Sequence, residues 1–141
     1  LDETAKWTIL GSFPKVKFSY LYYRYPLIKK PVVFSEINLA SLEDIAAMKI
    51  DAISSRGTKR DFIDLYFLVK KFSLEQILKF YDQKYGKLSN NIIHIMKSLE
   101  YFVDAESQES PKMLVPLSWE EVKKFFQKQV VMLAKKKLKI Q

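Results

Sequence analysis

At 141 residues, 48% hydrophobic and 28% charged, the chain has the length and composition of one globular domain with a real core, not of a disordered segment. It has no cysteine, which excludes disulfides and thiolate metal sites and fits a cytoplasmic location. No apolar run nears the roughly 20 residues of a membrane helix, so no membrane span is expected, and the polar start "LDETAKWT" is not a signal peptide.

Net charge is +8, and it is unevenly placed: after Glu121 come seven lysines and no acid, ending in "KKKLK". Such an excess attracts polyanions such as nucleic acid. The plainer reading is a solvated helix face with a frayed tail. The first residue is Leu1 rather than Met, so we expect a fragment, a processed product or the second half of a longer protein.

Residues 7–34 read as strands, being dense in β-branched and aromatic residues. Val16, Phe18, Tyr20 and Tyr22 alternate onto one face, with Lys15, Lys17, Ser19 and Leu21 on the other. Gly11-Ser12 reads as a turn between strands, and "PVVFSEI" as a further short strand. So few strands need a sheet partner or helices to pack on.

From Ser41 onward the pattern is helical. Ser41, Ser73 and Ser118 each stand three residues before an acid or amide, the spacing of a capping box, and Gly86 suits a left-handed helix end. We predict five helices, over about 42–55, 60–72, 74–85, 89–104 and 119–137. The one long connection is "AESQESPKMLVPLS", marked by its two prolines. The expected fold is α+β: a β-rich part over 1–40, then a helical part over 41–141.

On the first helix, Ile45, Lys49, Ala52 and Ile53 fall at helical spacing, which puts Lys49 inside the apolar stripe. Either it snorkels along its own stem, or its ammonium meets an anion at the edge of the core. The second helix opens with Arg60-Asp61, where a first-turn carboxylate is favoured by the helix dipole by about 0.3–1 kcal/mol. Asp64 sits among Phe62, Ile63, Leu65, Tyr66 and Phe67, so we expect it to be buried and to need a cation: Arg60, Lys49 or Arg56. An ion-paired helix hairpin and a phosphate-and-metal site at a helix corner fit this pattern equally well. The lone histidine, His94, reads as a helix-surface or core-edge residue.

"ASLEDIAAMKIDAISSRGTKRDFIDLYFLV" resembles the C-terminal signature of the AbiEii/AbiGii-type nucleotidyltransferase toxin family, in which an "AMK" lysine is followed by a helix opening "RDxxDL". "VKFSYLYYRYPL" before it and "DAESQESPKMLVPLSWEEVKKFF" after it extend the resemblance over nearly the whole chain. It implies a fold and chemistry like DNA polymerase β-type nucleotidyltransferases, which hold a nucleoside triphosphate through Mg²⁺-bridged phosphates and pass a nucleotidyl group to an acceptor. It also implies an abortive-infection toxin paired with an antitoxin protein, some relatives acting on the 3′ end of tRNA.

By motif matching, Lys49 would contact the triphosphate and Asp61 would be the late acidic residue. Asp64 and Arg60 would support it, and Arg56, Lys59 and Arg60 would lie on the substrate side. The family's first motif, a glycine-serine turn followed by a strand bearing Asp-x-Asp for the metal, has no counterpart here, because no Asp-x-Asp occurs in the chain. We therefore expect the chain alone to be inactive in transfer. Two other readings stay open: a non-catalytic module that binds nucleotide, RNA or protein, and a ligand-free helical scaffold in which Lys49 and Asp64 form a structural pair.

Overall fold

The computed structural model describes residues 3–5 and 8–138; Trp7, where the first strand is expected to start, and Lys139 of the basic tail lie outside them. Strands β1 (Glu3–Ala5), β2 (Thr8–Phe13) and β3 (Val16–Leu21) form an antiparallel sheet with β2 in the middle. The expected face is formed in part, since Tyr22 and Lys15 lie outside β3; Phe18 lies 6.4 Å from Phe13 and 5.7 Å from Tyr20, ring centre to ring centre. Phe13, Val16 and Tyr20 stay exposed.

Gly11-Ser12 is not a turn. Both residues lie inside β2, and the chain reverses at Pro14-Lys15. Gly11 pairs with Phe18, whose ring folds over it so closely that a Cβ on Gly11 would stand 2.2 Å from Phe18 Cζ. Glycine inside a strand here marks close approach, the alternative meaning of that residue. Regular structure also stops at Leu21, earlier than expected, and "PVVFSEI" proves to be most of a hairpin, β4 (Val32–Phe34) with β5 (Ile37–Leu39). Its turn residues Ser35 and Glu36 take φ values of 46° and 67°, a conformation usually left to Asn and Gly.

The helices are α1 (Leu42–Arg56), α2 (Lys59–Lys71), α3 (Leu74–Tyr85), α4 (Leu88–Ser98), the single turn α5 (Val103–Glu106) and α6 (Trp119–Leu138). Ser41 and Ser73 cap as expected, Ser118 accepts the N–H of Glu121, and Gly86 ends α3 at φ 63°. The predicted helix over 89–104 is two pieces. The chain leaves the helix after Ser98 and resumes at Val103, and Leu99 and Phe102 in the break are both buried in the core. That core is built by the helical part alone. At its centre the Phe62 ring meets Phe102, Trp119 and Phe126 at 5.1–5.9 Å.

The sheet-bearing segment is tied to the bundle by polar contacts and by the Tyr25 ring, which lies 4.6 Å from that of Tyr85, centre to centre. Asp44 and Lys84, both fully buried, pair at 2.6 Å. Asp44 also accepts the backbone N–H groups of Ile28 and Lys29 and the Ser41 hydroxyl, while Lys84 donates to the Pro26 carbonyl. Nearby, the Tyr23 and Tyr85 hydroxyls share a 2.6 Å hydrogen bond. A buried carboxylate is tolerated only when so fully satisfied.

Candidate functional site

The site is the corner between α1 and α2. Gly57 makes the corner tight: a Cβ there would lie 2.9 Å from Phe62 Cε2 and 3.3 Å from the Ile53 Cα, so only glycine lets the core ring close under the turn. Thr58 then caps α2 reciprocally with Asp61. Its Oγ1 accepts the Asp61 N–H at 3.3 Å, and Asp61 Oδ2 accepts the Thr58 N–H at 3.1 Å and the Thr58 hydroxyl at 2.7 Å. The cap fixes the carboxylate, leaving Oδ1 aimed at α1.

Lys49 comes from α1 to meet it. Its Nζ lies 2.9 Å from Asp61 Oδ1 and 2.7 Å from Asp64 Oδ2, so the ammonium bridges both acids rather than snorkelling into water. Burial pulls the Lys49 pKa down, but the hydrogen bonds its ammonium donates to Asp64 and Asp61 outweigh it and the net shift is upward. For Asp61, burial pushes up, and Thr58, Lys49 and the Thr58 N–H together hold the carboxyl below its ordinary range. The lysine is held charged and the acid ionised.

The expected burial of Asp64 is corrected. Its side chain is 51% exposed against 15% for Asp61, because Ile63, Leu65 and Tyr66 take the core and turn Asp64 outward with Arg60 and Phe67. The corner thus presents one locked carboxylate, one half in water, and an ammonium between them.

The other candidate residues are dispersed. Arg60 is exposed and lines a groove beside Asp64. Arg56 lines a different groove, with His94, Lys97 and Tyr101, where His94 Nε2 meets the Ser54 carbonyl at 2.7 Å. Lys59 is buried: its N–H donates to Gln108 Oε1 at 3.0 Å and its Nζ to the Gln108 carbonyl at 2.6 Å, over the Trp119 ring. In the basic C-terminal helix, Lys136 pairs with Glu75 and Lys123 with Glu106 and Glu120.

Among the described residues, no three His, Asp or Glu side chains converge as a metal site, and no helix is long and apolar enough to cross a membrane. Asp61 and Asp64 do not fit Mg²⁺ by themselves, because the position a cation would take between them is held by the Lys49 ammonium. Thr58 does carry a local signal, since T-x-x-D before an apolar run marks a cap, whereas the Asp44–Lys84 pair carries none.

Residues 18–134 match the model of a family described as nucleotidyl transferase AbiEii toxin, type IV toxin–antitoxin system. A protein of Aquifex aeolicus (strain VF5) described as uncharacterized is 39% identical over 130 residues, covering 89% of this chain. The match spans 61% of that relative's length. No solved structure matches the chain. The family match takes in both helices of the corner and every residue of the Lys49, Asp61 and Asp64 cluster, and the chain belongs to the AbiEii nucleotidyl transferase toxin family.

Proposed function

We propose that this chain supplies the phosphate-binding side of a nucleotidyltransferase toxin, with Lys49 as the group that contacts the nucleoside triphosphate. The observation that carries the reading is the ammonium of Lys49 fixed between Asp61 and Asp64 at the α1–α2 corner. Transfer of a nucleotidyl group asks a protein mainly for positioning and for neutralisation of phosphate charge. An ammonium has three donors, of which the two acids take two, so one remains for a phosphate oxygen. Asp61, fixed by Thr58, sets the direction of that donor. Asp64 lets it adjust at the solvent edge, and Arg60, one turn before Asp64, adds a second cation.

Arg56, in the neighbouring groove, is a further cation of this side, and Lys59 acts through the loop it holds at Gln108. The Mg²⁺ characteristic of such chemistry requires ligands beyond Asp61 and Asp64, and no step is assigned to it. The acceptor in this reading is RNA, tRNA included, and the antitoxin is a separate protein.

The test uses the full-length gene product with radiolabelled nucleoside triphosphates and cellular RNA. Lys49→Met should lower label transfer by roughly 10²-fold or more, with little change in melting temperature. Wild-type transfer by a folded Lys49→Met protein would remove the assignment.

A further inference from the structure

Beside the corner runs a groove of about 440 Å³ between α2 and the loop before α6. Arg60, Asp64 and Phe67 line it from α2 at spacings of four and three, one helix face, and Lys112, Met113 and Leu114 line it from the loop. Asp64 belongs to both places: its Oδ2 holds Lys49 at 2.7 Å, so the groove begins where the cluster ends.

The groove is an apolar shelf with a cationic rim. Leu114 is 99% exposed and Phe67 38% exposed, apolar surface kept in water beside charge. Arg60 and Lys112 are engaged by no acid among the described residues, and the groove's one carboxylate already carries the Lys49 ammonium. The loop is held in place for this role. Lys59 fastens it to the first turn of α2 through the side-chain and backbone oxygens of Gln108, and Trp119 Nε1 donates to Glu106 Oε2 at 3.0 Å across its two ends. Met113 packs against the core, while its neighbour Leu114 stands clear.

Resting on the phosphate-binding reading above, we infer that this shelf seats the base and sugar of the nucleoside triphosphate. The base stacks on Phe67 and Leu114, and Arg60 and Lys112 grip the phosphates on their way to Lys49. A flat π-system with phosphates attached matches this surface. An aromatic platform beside cations is a sequence-tolerant way to hold a nucleotide. A bare polyphosphate would meet the cations and leave the shelf unused.

The test is calorimetric titration of the 141-residue chain and its variants with ATP, CTP, GTP and UTP, with inorganic tripolyphosphate, and with a short single-stranded RNA. At least one nucleoside triphosphate should bind more tightly than tripolyphosphate. Phe67→Ala and Leu114→Ser should each weaken it about 10-fold, the scale of one lost base-stacking contact, and leave tripolyphosphate binding unchanged. Leu114 is fully exposed, so Leu114→Ser stays informative if Phe67→Ala disturbs folding. Lys49→Met should weaken both ligands.

If Lys49→Met weakens both while the shelf variants bind like wild type, the shelf assignment is overturned and the phosphate-side reading survives. If the shelf variants weaken nucleotide and Lys49→Met changes nothing, the shelf stands and the phosphate-side reading fails. Equal affinity for nucleotide and tripolyphosphate, no nucleotide binding at all, or a shelf effect confined to RNA would each overturn the inference.

Discussion

Asp44 and Lys84, 40 positions apart, close a 2.6 Å ion pair from which water is wholly excluded, and they use it to hold a third piece of chain. The Pro26 carbonyl and the Ile28 and Lys29 N–H groups all end on this pair. The segment carrying the strands is thereby fixed against α1, the helix that carries Lys49. Breaking such a pair from one side leaves an uncompensated buried charge, and Lys84→Met should cost about 3–5 kcal/mol in urea unfolding. The Ile28 and Lys29 amides should also lose protection from hydrogen exchange before the helical core does. Exchange unchanged at both amides would show that the pair does not anchor the segment.

Acid should act through the same residue. Burial pushes the Asp44 carboxyl upward, but Lys84, Ser41 and the Ile28 and Lys29 N–H groups overcome it and hold the folded-state pKa at about 2. A depressed carboxylate contributes stability that is full above its unfolded value near 4 and is lost as pH falls through the folded value. Asp61, also depressed, adds in the same direction. Unfolding free energy should therefore hold steady from neutral pH down to about 5 and then fall steadily toward pH 2. A flat profile across that window would contradict the assignment for both acids.

Asp61 and Asp64 should separate cleanly in stability. Asp61→Ala removes the capping box of α2 and one partner of Lys49, and should cost about 1–2 kcal/mol. Asp64→Ala removes only a half-exposed ion-pair partner and should cost under about 1 kcal/mol. Chemical denaturation of the two variants side by side decides it. A larger loss at Asp64 would mean that the corner depends on the outer acid.

Gly57 and the Ser35-Glu36 turn give opposite expectations. Gly57→Ala presses a methyl against Phe62 and the Ile53 backbone and should destabilise by about 1–3 kcal/mol. Replacing Ser35-Glu36 by Asn-Gly should relieve two left-handed residues and stabilise by about 1 kcal/mol. Thermal melts of both variants check the signs.

Much of this could be read along the chain because helix punctuation is local. Ser41, Ser73 and Gly86 act within four residues of themselves, and the 3.6-residue period placed Lys49 where an anion could reach it. Asp64 was misjudged for a related reason. Its neighbours are apolar, but a helix has an outer face even in apolar company, and only the packing of α2 on α1 and α6 decides which residue turns outward. The break after Ser98 carries no glycine or proline, and Ile95, Leu99 and Phe102 keep the spacing of one helical stripe, so nothing local in the sequence marks it. Asp44 and Lys84 each look like ordinary helix-surface charges until the fold brings them together.

The aromatic stack under the corner has an optical consequence. Trp119 packs edge-on against Phe62, with the Lys59 ammonium 5.4 Å from its ring centre and its Nε1–H on Glu106. The chain has two tryptophans, so replacing Trp7 by Phe leaves Trp119 as its single indole. Its emission then reports on the ground between the α1–α2 corner and the Gln108 loop. Any ligand that draws these together, or any variant that lets them part, would change the colour or intensity of the protein's own fluorescence without an added dye.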